Sequence, residues 1–276
     1  MSRKALFPLT LLLATLVSVA FLLLPLIAIF TRVPFSTLVD QLGNGVVKDA
    51  LVVSLKTTLI AQALILLFGT PTAYLLATRR FPGRSLAVTL IELPLVLPPA
   101  VAGIGLLAAF GRAGMLGSTL SAFGLEIPFT QTAVVLAVAF VASPLYVRQA
   151  IAAFEAVDPS VVDASRTLGA GQARTFWRIA LPLSAGGLAA GAALAFARGL
   201  GEFGATIMFA GSFQGVTQTL PLAIYAEFEN DFEVALAIGG LLVVISALLL
   251  VLLKIRLGWT SSRSTSPFLF ARTRSS

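Results

Sequence analysis

Few side chains in these 276 residues can do chemistry, and their spacing narrows what that chemistry is. Arg198 and Glu202 lie four positions apart within an apolar stretch, interleaved with Gly199, Gly201 and Gly204. On a helix this spacing puts guanidinium and carboxylate on one face. An unpaired charge at bilayer depth costs from ~3 to over 10 kcal/mol, so the two are expected to face inward and pair. Two readings stay open: a salt bridge that locks this segment to a neighbour, or an arginine that lowers the barrier to a passing anion. In the second, binding must stay weak enough for release. The glycines allow either close helix packing or a local opening of the backbone. Glu227, Glu229, Asp231 and Glu233 form the only dense group of acids, expected as a solvated outer loop or a docking surface for an external protein. The chain has no His and no Cys, which removes zinc sites, Ser-His-Asp triads, thiolate nucleophiles and disulfides.

The polar stretch from Arg148 to Pro182 carries the other pattern. It reads Asp163-Ala164-Ser165-Arg166-Thr167-Leu168-Gly169, then nine residues, then Ile179-Ala180-Leu181-Pro182. Pro159 and Ser160 suit a helix start and Gly169 suits the left-handed residue that ends one. A second short helix is expected from about Gln172 to Ala180, with Pro182 opening the next apolar run. The result is a helix-turn-helix with Phe176 and Trp177 beside Arg174 and Arg178, residue types that anchor interfaces. The alternative is an interfacial loop whose aromatics sit among lipid headgroups.

The elements that position these residues follow from composition. The chain is 58% hydrophobic and 11% charged. A soluble domain carries about 25% charged residues, so this one is expected to be all-α and polytopic in a membrane. Six runs are long enough to cross a core about 30 Å thick, approximately Ala5–Phe30, Ala50–Ala77, Ser85–Phe110, Gln131–Val147, Leu183–Ala210 and Val234–Leu253. The first is longer than a signal-peptide core and is read as a retained span. In the third, Pro94, Pro98 and Pro99 are expected to prevent regular helix through its first half. The remainder, Ala100–Phe110, spans only about 16 Å, which puts irregular backbone at membrane depth, against protein or a water-filled path.

With the N-terminus inside, Arg3, Lys4, Arg79, Arg80, Arg84, Arg148, Arg166, Arg174, Arg178, Lys254, Arg256, Arg263, Arg272 and Arg274 share one side. Only Arg32, Lys48, Lys56 and Arg112 fall on the other. The positive-inside rule therefore gives N-in, C-in, and the net charge of +7 records orientation, not nucleic-acid binding. The segment Thr219–Tyr225 is expected at the outer interface or against a partner. Divisions follow at 1–49 (first span and outer loop), 50–256 (five-helix core, with loop 148–182) and 257–276 (cytoplasmic tail).

The pattern Asp163-Ala164-Ser165-x-x-x-Gly169 with Ile179-x-Leu181-Pro182 resembles the EAA motif of type I ABC-importer permeases, which usually begins Glu-Ala-Ala. The resemblance covers roughly Ser54 to Leu253. Glu92–Gly103 and Ala197–Thr206 are similar to segments of the molybdate and sulfate branch of that family, with molybdate permeases the best match. The resemblance implies a molybdate-translocating permease of a bacterial or archaeal cytoplasmic membrane, with tungstate or sulfate/thiosulfate as alternative substrates. It implies Asp163, Ala164, Ser165, Gly169, Ile179, Leu181 and Pro182 as the coupling loop for an ATPase. The path candidates are Arg198, Glu202, Gly199, Gly201, Pro98 and Pro99. Implied partners are a second permease copy, two cytoplasmic ATPases carrying ATP and Mg, an external oxyanion-binding protein and the lipid bilayer, with no nucleic acid. This chain has no G-x-x-x-x-G-K-[ST] sequence, so no P-loop of its own, and no cofactor or metal is expected on it. The rivals from other classes are a secondary anion transporter, which would work without ATP, and a membrane enzyme built on the acids at 227–233.

Overall fold

The computed structural model describes residues 3–261, with side chains over 7–248 and at 251. All regular secondary structure among the described residues is helical, without strands. In order the elements are α1 (Arg3–Arg32), α2 (Phe35–Gln41), α3 (Gly45–Thr78), α4 (Arg84–Val96), α5 (Pro99–Phe110), α6 (Gly117–Ala122), α7 (Gln131–Glu155), α8 (Pro159–Thr167), α9 (Gln172–Thr175), α10 (Leu181–Leu200), α11 (Gly204–Ala210), α12 (Leu220–Phe228) and α13 (Phe232–Ser261). A π turn, Phe176–Ala180, joins α9 to α10 without a break.

Helices α1, α3, α7 and the rod Gln172–Leu200 are each long and apolar enough to cross a membrane. The pair α4 and α5 reaches that length together but turns through 114° between them. Within α13, Phe232–Leu248 is a further apolar stretch. Around α1 the apolar side chains face outward on every side, as they do when lipid is the neighbour. The last run, expected to end at Leu253, stays helical to Ser261. Of the expected tail, residues 262–276 lie outside the described residues.

The centre is α7, clasped between α3 and α10. Lipid offers no hydrophobic drive between helices, so close backbone approach over small residues does the holding. A Cβ on Gly69 would come within 2.9 Å of the Tyr146 ring, one on Gly191 within 2.9 Å of Gln149, and one on Gly199 within 2.8 Å of Val138. Tyr146 is buried and shares a 2.6 Å hydrogen bond with the Thr70 hydroxyl, which joins α7 to α3. At the end of α3 that leads from α2, Ser54 Oγ accepts the Leu220 N–H at 2.7 Å. Leu220, Leu222 and Ala223 of α12 are fully buried, the first and last in a cluster with Val47, Ala237 and Ile238. Segment Thr219–Tyr225 is therefore a core helix start, not an interfacial strip, and only Tyr225 on it projects outward.

Two expectations about the interrupted helices change. Pro94 sits inside regular helix, since α4 runs from Arg84 to Val96. The break is confined to Leu97 and Pro98, whose ψ of 134° and 131° are extended, as a following proline demands. Near the end of α4, Pro94 forfeits one intrahelical hydrogen bond, which a helix this close to its end tolerates. The run Leu183–Ala210, expected as one span, is two helices, because α10 stops at Leu200 and α11 starts at Gly204.

Candidate functional site

The two interruptions meet. A Cβ on Gly204 would lie 2.8 Å from Pro99 Cβ and 3.2 Å from Ala100 N. One turn along, a Cβ on Gly103 would lie 2.6 Å from Ala205 O and 2.8 Å from Met208 Cβ. The starts of α5 and α11 are thus in backbone contact, an approach only glycine permits. Pro99 of one motif comes against Gly204 of the other.

Glu202 organises the second interruption. Its Oε1 accepts the Ala205 N–H at 2.7 Å and so caps α11, while Oε2 lies 2.7 Å from Arg198 Nη1. The residue is 2% exposed, whereas the Arg198 side chain is 34% exposed. The carboxylate is fixed in the protein and the guanidinium opens outward from it. The expected pairing is present, and it ties α10 only to α11, the helix that follows it across the elbow. Gly199 supplies close packing against α7 and α3, while Gly201 has only its own Ala197 carbonyl nearby, at 3.8 Å, and stands at the opening itself.

The second candidate region is the helix-turn-helix. Asp158 caps α8, its Oδ1 accepting the Ser160 N–H at 2.8 Å, and these hydrogen bonds from Ser160 hold its carboxyl below the usual range. Pro159 follows as the first helical residue. The helix ends in a complete Schellman motif: Ala170 N–H donates to Ser165 O at 3.0 Å and Gly169 N–H to Arg166 O at 2.9 Å. Gly169 has φ +82°, the conformation expected of it. Ser165 Oγ donates to Val162 O and lies 3.2 Å from Thr175 Oγ1, which pins α8 to α9. Asp163 and Ala164 are exposed, with Asp163 3.8 Å from Arg166.

Beyond the turn, the rod holds Ile179 and Leu181 half-buried, with Pro182 exposed. The Leu181 N–H donates to Phe176 O, one residue further back than in an α-helix. This widened turn carries the chain past Pro182, which has no N–H to give. The aromatic pair splits. Phe176 turns inward onto Tyr74 and Phe154, with ring centroids 4.7 and 6.3 Å away, and of the two aromatics only Trp177 remains exposed, next in sequence to Arg178 and one turn from Arg174.

Some features had little sequence signal. Two ion pairs tie α4 to α7, Arg84–Glu155 at 2.6 Å and Glu92–Arg148 at 3.6 Å. Their antiparallel order could be found only once the two helices were known to be neighbours. Ser54, Thr57, Thr58, Thr206, Thr217, Gln218 and Thr219 are buried within apolar surroundings, where single hydroxyls do not interrupt a hydrophobic window. The acids at 227–233 do not converge. Asp231 Oδ1 instead accepts the Glu233 and Val234 N–H groups and caps α13, and no group of three metal-ligating side chains forms among the described residues.

Among the described residues, several long apolar helices, a buried carboxylate paired with Arg198 at a broken helix and an exposed helix-turn-helix are the parts expected of a membrane transport component. The chain belongs to the family of binding-protein-dependent transport system inner membrane components, which it matches over residues 65–257. It is 44% identical over 238 residues to the molybdenum transport system permease protein ModB of Mycobacterium bovis, covering 86% of this chain and 89% of that one. It is 34% identical over 241 residues to the sulfate transport system permease protein CysW of Synechocystis, covering 85% and 86%. Among solved structures, a bacterial alginate ABC transporter in complex with an alginate-bound periplasmic protein shares the fold, with a TM-score of 0.67 at 19% identity over 91% of this chain and 93% of that one.

Proposed function

We propose that this chain is the membrane permease of an ATP-driven importer for molybdate, working in the cytoplasmic membrane as one of two copies. In this reading six spans cross the bilayer, N-in and C-in, with α4 and α5 forming one of them. Two cytoplasmic ATPase subunits, which carry ATP and Mg, dock on the face of Trp177, Leu168, Arg174 and Arg178, and an external protein delivers the oxyanion. The substrate reading is supported by the identity to ModB, ten percentage points above that to CysW. The latter makes sulfate the second reading.

One observation carries the mechanism: the helix from Gln172 to Leu200 runs unbroken from the coupling loop to the Arg198–Glu202 elbow. At 1.5 Å per residue it is a rod of about 43 Å. Movement of the loop when the ATPases close is thereby delivered to the elbow and, through Gly204 and Pro99, to the corner between α4 and α5. The permease contributes the path and its motion, and bond cleavage belongs to the partner.

The test is ATPase stimulation of the reconstituted complex, with its binding protein, by molybdate, tungstate and sulfate. Molybdate is expected to stimulate at the lowest concentration. Stimulation by sulfate alone would overturn the substrate, and uptake that persists without ATP on an ion gradient would overturn the class.

A further inference from the structure

Behind α8, at the end of the molecule that the reading above places in the cytoplasm, lies a cavity of about 520 Å³. Its walls bring together Arg80, Arg84 and Arg166 from three different segments, with Glu155 and Asp163 as the acids and Tyr74 and Phe154 as an apolar floor. The arginines are unequally committed. Arg84 is held by Glu155 at 2.6 Å and by the Leu76 carbonyl through Nε. Arg166 lies 3.8 Å from Asp163, beyond hydrogen-bond reach, and Arg80 has no carboxylate within 4.0 Å among the described residues. The cavity therefore keeps unspent guanidinium donors and an excess of one positive charge over its two carboxylates.

A second lobe of about 290 Å³ shares Tyr74, Thr78 and Arg166, and adds Arg79 and Leu75. Leu75 is half exposed on the flank of α3 that faces away from the core. The lobe thus runs from the basic cavity to an apolar outer face, where an acyl chain would lie. Guanidinium groups match the oxygens of a phosphate in geometry as well as charge. Basic pockets between helices on the cytoplasmic side suit anionic headgroups.

We propose that this two-lobed cavity binds a phosphate group, supplied by an anionic phospholipid headgroup whose chain leaves past Leu75, or else by a free oxyanion. Its position between α4, α7 and α8 sets it against the Arg84–Glu155 pair and the loop that carries Asp163. The proposal takes only its sidedness from the transport reading. A binding measurement separates the two, since it stays informative whichever substrate is carried.

The experiment uses the full-length permease in nanodiscs and native mass spectrometry to measure retention of phosphatidylglycerol against phosphatidylcholine, with inorganic phosphate as a separate competitor. At about 1 kcal/mol per arginine, Arg80→Gln with Arg166→Gln should lower phosphatidylglycerol retention about 30-fold and leave phosphatidylcholine unchanged. Arg80→Lys with Arg166→Lys should restore part of it, and Arg174→Gln with Arg178→Gln should change nothing. Saturable binding of inorganic phosphate without lipid preference would assign the site to a free anion. Retention unmoved by the Arg80/Arg166 pair, or lowered equally by the Arg174/Arg178 pair, would overturn the site.

Discussion

Gly103 and Gly105 stand two positions apart on α5 and give a controlled test of the contact that joins the interrupted helices. A methyl group at Gly103 would sit 2.6 Å from the Ala205 carbonyl oxygen and 2.9 Å from Ala205 Cα, backbone atoms that cannot rotate aside. At Gly105 it would meet nothing within 4 Å. Ordinary contact begins near 3.4 Å, so Gly103→Ala must drive α5 and α11 apart by roughly 1 Å, an overpacking cost of about 1–3 kcal/mol. Gly105→Ala instead gains up to about 1 kcal/mol of helix propensity. A shift of about 2–4 °C per kcal/mol gives a fall of about 2–12 °C in the thermal midpoint for Gly103→Ala and none for Gly105→Ala. Both variants should be followed by thermal unfolding in a lipid environment and by substrate uptake in vesicles. Gly103→Ala is expected to lose uptake by more than its loss of folded protein explains, because the displaced contact joins α5 to α11, the helix that follows the elbow. Equal midpoints for the two variants would refute the packing argument, and a destabilised Gly103→Ala with full uptake per folded molecule would refute its role in transmission.

Two other predictions follow from the same geometry. Glu202→Gln keeps an acceptor for the Ala205 N–H but leaves Arg198 without its counter-charge. Breaking a buried pair costs about 3–5 kcal/mol, and the partial exposure of Arg198 reduces this to about 1–3 kcal/mol. Adding Arg198→Gln should recover much of that loss in a thermal-denaturation cycle, and a double variant no more stable than Glu202→Gln alone would show the ion pair to be incidental. Gly169→Ala meets no neighbour, so its cost of about 1–2 kcal/mol comes wholly from the left-handed backbone and should appear as weakened ATPase stimulation. Gly169→Asn, which accepts that conformation more readily, should retain most of the stimulation, and identical behaviour of the two would argue against the Schellman turn as the feature that matters.

How much could be read from the sequence differs from one feature to the next, for physical reasons. The start of α8 at Pro159 and its end at Gly169 were legible because capping is local: the groups that satisfy the helix ends are within a few residues. The corner at Leu97 and Pro98 was only half legible. Consecutive prolines force extended backbone before each of them, but how far the disturbance spreads depends on what else the helix must satisfy, and Pro94 proved compatible with helix. The stop at Leu200 was hidden because Gly201 permits an opening without requiring one. What settles it is the Glu202 carboxylate, which caps the next helix and meets Arg198 in the same place. The inward turn of Phe176 needed Tyr74 and Phe154, about 100 and 20 residues away along the chain, to be brought beside it.

The π turn at Phe176–Ala180 has a consequence for how the two ends of the rod are aimed. An α-helix turns by about 100° per residue, so one extra residue in a single turn offsets everything beyond it by that angle. The turn works as a fixed phase offset between the surface that carries Trp177 and the bearing of Arg198. The two ends can then be oriented separately: substitutions on the surface around Trp177 leave the elbow's bearing alone, while loss of a single residue between 176 and 180 would swing one end relative to the other by more than a quarter turn.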